Sequence, residues 1–163
     1  MKLLGAVLVI TSAFAFGSRL IFSRRQNIAE LKRAVSFLTQ IKTTLGFSLK
    51  SPEELFEDAV REEAFFIRDK TTELCKKGKS FVSAYREAVA TDENLESKDR
   101  LKLLVLAEIL GLFDRETQEE RIKLLIYDIK KSAEEKETEL INKERLYMLI
   151  SLSLGTGIVI ILV

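Results

Sequence analysis

Apolar and charged residues fall into three zones along this chain. Leu3 to Ser18 carries no charge, the long centre mixes apolar and charged residues at helical spacing, and Leu146 to Val163 is again uncharged. If Arg19 turns its guanidinium back to the polar boundary, the first run extends to Phe22, about 30 Å of helical rise and enough for a bilayer core. The last run gives about 27 Å, near the lower limit for a span. The pattern therefore predicts membrane helices over 3–22 and 146–163, flanking a water-facing domain over 23–145. A rival reading takes Lys2, the run from Leu3 to Ile10 and the triplet Ala13-Phe14-Ala15 as a cleaved signal peptide, with a mature start at Phe16. Against it, the apolar run continues through Leu20, Ile21 and Phe22, and Arg19, Arg24 and Arg25 oppose translocation of the central segment.

Between the ends, six amphipathic helices are expected. Ile28, Leu31, Val35, Leu38, Ile41 and Leu45 recur every three or four residues, a stripe on a helix that can run on directly from the first span and end near Gly46 and Phe47. Ser51-Pro52-Glu53-Glu54 reads as a helix start with a capping box, followed by Leu55, Phe56, Ala59 and Val60 facing inward. A third helix carries Phe65, Phe66, Ile67, Thr71, Leu74 and Cys75 and stops at Lys76-Lys77-Gly78. Ser80 is placed to cap a fourth, through Phe81, Ala84, Tyr85 and Ala88. Ser97 is placed to cap a fifth, with Leu101, Leu104, Val105, Ile109 and Leu110 as its apolar face and a stop at Gly111. Asp114 then caps a sixth. Ile122, Leu125, Ile129, Ala133 and Leu140 keep a near-heptad stripe with no Pro or Gly before Gly155, so this helix is expected to be continuous with the second span. Its charged stretch from Ala133 to Glu139 suits a solvated neck.

Composition agrees with an all-α protein: one Pro, no Trp and abundant Leu, Lys, Glu and Ala in 163 residues. The formal charge of +1 hides an asymmetry. Lys2, Arg19, Arg24 and Arg25 lie at the N-terminal end, and without them 22 basic residues face 25 acids, interspersed rather than blocked. That is no footprint for nucleic acid. Lys143 and Arg145 precede the second run, so both runs turn their positive flank toward the central domain. The positive-inside rule then places residues 23–145 in the cytoplasm, in a two-span hairpin at the cell membrane.

Candidate chemistry is sparse. Histidine is absent and Cys75 is the single cysteine, which removes an intrachain disulfide, the His-based nucleophile pairs and His-containing metal sites. Neither a phosphate-binding Gly-rich loop nor a metal-ligand spacing is present, so no enzyme and no cofactor are expected. Two groups of residues stand out. Ala13 and Gly17, Ser151 and Gly155, and Ser153 and Gly157 repeat at four-residue spacing. Such faces pair the two spans or join copies of the chain into a homo-oligomer, or they reflect only how common small residues are in membrane helices. Asp114, Arg115, Glu116 and Gln118 form a helix start that either caps, with Arg115 reaching Glu119, or offers a polar contact to a partner.

Three segments carry a family likeness. Met1-Lys2-Leu3-Leu4-Gly5-Ala6 at the start, Leu110-Gly111-Leu112-Phe113-Asp114-Arg115-Glu116-Thr117-Gln118 in the middle, and Gly155 to Val163 at the end resemble stage III sporulation protein AB. The sequence departs from the family pattern near Phe47 and Pro52-Glu53, where the family usually has Tyr and Pro-Leu. The resemblance implies a component of the sporulation channel complex between mother cell and forespore, its domain in mother-cell cytoplasm. It also implies partners: other stage III sporulation membrane proteins and a cytoplasmic secretion-type ATPase, stage III sporulation protein AA. That family is in turn similar to the inner-membrane platform protein of type II secretion and type IV pilus machines, with its six-helix cytoplasmic bundles. An alternative from a different class is a membrane-anchored regulatory adaptor whose neck helix passes a signal to a soluble target.

Overall fold

The computed structural model describes the backbone of residues 2–47, 50–59, 65–112 and 114–162, and their side chains except at 2–20, 47, 111, 112, 145 and 147–162. Among the described residues there are six α-helices and no strand: α1 Lys2–Phe47, α2 Pro52–Asp58, α3 Phe66–Lys76, α4 Phe81–Thr91, α5 Ser97–Leu112 and α6 Arg115–Leu162. The chain divides into two units, one of Asn27–Ala133 and one of Met1–Gln26 with Glu134–Val163.

Within the first unit all six helices contribute to one core. From α1 come Leu31, Leu38, Ile41 and Leu45, which the spacing predicts, together with Ala34 and Phe37, which it does not, while Val35 is only partly buried; from α6 come Ile122, Leu125, Ile129 and Ala133, the predicted stripe. The short α2 brings Leu55 and Phe56, and α2, α3, α4 and α5 pack in succession. Phe56 is the hub of an aromatic cluster, with its ring centroid 4.8 Å from Phe37, 4.9 Å from Phe81 and 5.7 Å from Tyr85. Edge-to-face pairs of this kind add to the burial of apolar area. The Tyr85 hydroxyl donates to the Leu103 carbonyl at 2.8 Å, which lets a polar tip sit in an apolar interior.

The helix ends show which signals the backbone used. Ser51 accepts from the Glu54 N–H at 3.3 Å while the Glu54 carboxylate accepts from the Ser51 N–H at 2.9 Å, the reciprocal capping box that the sequence predicts. Gly78 closes α3 with a φ of 88°, and the N–H of Lys79 reaches the Leu74 carbonyl at 3.2 Å. No atom lies within 4 Å of a Cβ added there. Gly78→Ala is therefore expected to cost about 1 kcal/mol through the backbone alone. Replacement by Asn, which tolerates the left-handed region, is expected to recover part of the loss in a urea titration.

Three local expectations need correction. Ser80 occupies the cap position of α4, but its side chain makes no capping bond. Ser97 is the first residue of α5 rather than its cap, and the Glu96 carbonyl accepts from the N–H groups of Asp99 and Arg100, both at 3.0 Å. The face of α5 is also turned: Leu103, Leu106, Ala107, Ile109 and Leu110 are buried, whereas Leu101 is 67% exposed and Val105 40% exposed. Apolar residues nearly surround this helix, so its own periodicity does not choose a face. The Leu103 carbonyl bonded to Tyr85 and the buried Asp99 fix the rotation instead.

Helix α6 is continuous through Arg115–Leu162, as the missing breakers before Gly155 predict. The spans expected at 3–22 and 146–163 fall almost wholly on positions whose side chains lie outside the described ones. Among the described residues no helix is long and apolar enough to cross a membrane.

Candidate functional site

The start of α6 is built by Asp114. Its Oδ1 accepts from the Thr117 N–H at 3.0 Å and its Oδ2 from the Thr117 hydroxyl at 2.8 Å, and these donors hold the carboxyl below the usual range. Arg115 lies 3.8 Å from the Glu119 carboxylate, four residues on, and the Gln118 N–H bonds the Asp114 carbonyl at 2.9 Å. The local backbone therefore uses Asp114 as a cap, while Asp114 and Glu116 are exposed. The six small residues Ala13, Gly17, Ser151, Ser153, Gly155 and Gly157 lie on the backbones of α1 and α6, and their side chains are outside the described set.

The structure assembles a second polar group that is absent from the candidates the sequence suggests. Asn27 donates its side-chain amide to the Asn94 carbonyl at 2.9 Å and to Asp99 Oδ2 at 3.3 Å, and the Ser132 hydroxyl donates to Asp99 Oδ1 at 3.3 Å. One buried carboxylate thus joins α1, α5 and α6. One turn along α1, Glu30 is almost fully buried, and its Oε2 accepts from Arg33 at 2.9 Å. Burial pushes the Glu30 carboxyl above its ordinary range, the Arg33 hydrogen bond opposes this, and the Asp92 charge adds to the rise. Asp92 is likewise raised, chiefly by burial, although its Oδ1 accepts from the Asn94 N–H at 2.9 Å. A signal exists in the sequence: Asn27 and Glu30 share the helical register of Ile28, Leu31 and Ala34, and a polar residue on a core stripe marks a buried polar contact.

A raised carboxyl means that the folded state holds its proton more tightly than the unfolded chain does. The contribution of Glu30 to stability is thus most favourable at acid pH and declines as pH rises from the unfolded value through the folded one. Glu30→Gln is expected to stabilise the fold at neutral pH and to leave it nearly unchanged near pH 4. Urea midpoints of both proteins at the two pH values check this, and parallel shifts at both would rule out burial of charge as the cause.

Elsewhere, Glu53, Phe56, Glu57, Thr71, Thr72, Cys75, Lys76 and Phe81 line a shallow cleft of about 220 Å³. Its thiol is poorly placed for nucleophilic work, because burial pushes the Cys75 pKa up rather than down. Among the described residues no group of three or more Cys, Asp or Glu is placed to hold a metal ion. In the other unit, the Arg25 guanidinium bonds Glu144 Oε1 through Nη2 at 2.7 Å and Nε at 3.2 Å, which joins α1 to α6. Phe22 and Leu146, beside this pair in sequence, are exposed.

Among the described residues, fold and side chains together define an all-α protein with a helical core over Asn27–Ala133. The chain belongs to the stage III sporulation protein AB family: the family model matches residues 2–163. A solved structure described as stage III sporulation protein AB (SpoIIIAB) is similar in fold. Its TM-score is 0.61 at 15% sequence identity, over 71% of this chain and 97% of that one. No curated protein matches the chain.

Proposed function

We propose that this protein is a non-enzymatic platform component of the sporulation channel complex between mother cell and forespore. It is held in the cell membrane by spans over 3–22 and 146–163, with its bundle in mother-cell cytoplasm. There the bundle docks a cytoplasmic secretion-type ATPase, stage III sporulation protein AA, while the spans pack with other stage III sporulation membrane proteins. The observation that carries the membrane part is the Arg25 to Glu144 ion pair. It lies three residues beyond Phe22 and two before Leu146, a spacing that supports two apolar runs starting at one level. Exposed Phe22 and Leu146 beside the pair, with Arg24 and Lys143 on its polar side, support a boundary there. Family membership supports the sporulation assembly, and the exposed apolar side chains among the charged ones on the bundle support a contact role.

Three measurements on the full chain in sporulating cells test the proposal. The protein is expected to stay with membranes after an alkaline carbonate wash, to be spared by protease added outside the cell, and to co-purify with the ATPase. Release by carbonate, or digestion of residues 23–145 from outside, would overturn the membrane part. Absence of the ATPase from every purification would overturn the docking part.

A further inference from the structure

We propose that the outer face of the α5 and α6 pair is the surface on which the soluble partner docks, and that this partner presents an apolar patch with an acidic rim. The inference rests on the docking function proposed for the bundle and adds the face and the chemistry of the partner. Helices α5 and α6 lie side by side and antiparallel, because Ser132 meets Asp99 at 3.3 Å and Lys102 Nζ reaches the Asp128 carbonyl at 3.5 Å. Carried along both helices, this register sets Leu101 level with Tyr127 and Val105 level with Leu124. All four are exposed, Leu124 and Tyr127 by 63% and 65%. Their spacing, i to i+4 on α5 and i to i+3 on α6, keeps each pair on one side of its helix.

Charge selects among the possible occupants. At the positions three and four residues from these four, six side chains are basic: Lys98, Lys102, Arg121, Lys123, Lys130 and Lys131. Three are acidic, Glu108, Glu120 and Asp128, so the face carries about +3 in a unit, Asn27–Ala133, with 19 basic and 20 acidic residues. A second copy applied face to face would set like charge against like charge. A uniform anionic lipid surface offers no donors to the three interleaved carboxylates, whereas a protein patch can set donors opposite them. A protein patch with apolar centre and acidic rim suits both the exposed Leu and Tyr side chains and the basic excess.

A photoreactive residue placed at 101 or 124 of the full chain, in sporulating cells, tests the surface. The expected result is an adduct to a soluble protein whose crosslinked segment is apolar with acidic neighbours. With the photoreactive residue at 101, the adduct should fall at least tenfold in Leu124→Asp and in Lys123→Glu, and reversal of an acid on the partner segment should restore the Lys123→Glu loss. Because both residues are exposed, these variants keep the core; Val82→Asp, on α4, serves as the control and should change nothing. Adducts only to lipid, only to a second copy, or none at all would overturn the surface. Capture of the ATPase by the unaltered chain decides the docking function separately: normal capture by Leu124→Asp would sink this face and leave that function standing.

Discussion

Phe56→Ala is expected to lower the unfolding free energy by about 3–5 kcal/mol, a large share of the 5–15 kcal/mol typical of a domain. The side chain is 2% exposed and its ring contacts those of Phe37, Phe81 and Tyr85, which belong to α1 and α4. Truncation removes the apolar transfer energy of the ring and leaves a cavity that three stiff aromatic neighbours cannot close. Helix α2 has only seven residues, too few to persist without tertiary contacts, so the loss is concentrated there. Urea denaturation of the full-length chain followed by circular dichroism checks the magnitude, with Phe56→Leu expected to cost distinctly less. A change under about 1 kcal/mol for the alanine variant, below the usual range for a buried ring, would mean that α2 is not held by this side chain.

Asp99→Ala is expected to have the second-largest effect, about 2–3 kcal/mol, because truncation takes the acceptor from buried hydrogen-bond donors on two other helices. Its two oxygens receive Asn27 from α1 and Ser132 from α6, while its own position in the first turn of α5 favours a negative charge. Removing the carboxylate strips the Asn27 amide of one acceptor in a buried setting and unties three helices together. Asp99→Asn, which keeps one acceptor oxygen, is expected to lose about half as much. If the alanine variant unfolded at the same urea midpoint as the unaltered chain, the three-helix link would be structurally idle.

These two positions differ in how visible they are before folding. Phe56 follows a capping-box signature and sits on an obvious apolar pattern, so its burial is legible. Asp99 reads as one more acid in the charged segment from Asp92 to Arg100. Its role needs Asn27 and Ser132, which are 72 and 33 residues away along the chain. The candidate site divides in the same manner. Asp114 as a cap is a local matter of three residues and can be read directly. Exposure of Leu101 and Val105 runs against their apolar spacing, because an α5 segment apolar on almost every side offers no preferred face until its neighbours are in place.

Among the described residues, the chain's own order determined the all-α class, the six helices, most of their ends, and most of the inward stripes of α1 and α6. Such features depend on spacing and capping within a few residues, where the energetics are local. Tertiary structure alone decided which face of α5 turns inward, that Asp99 and Ser132 are the partners Asn27 meets, and that Asp92 is buried close enough to Glu30 to help raise its carboxyl. Those outcomes depend on contacts between distant segments, where the cost of desolvating a polar group and the shape of a neighbouring helix outweigh any preference encoded nearby.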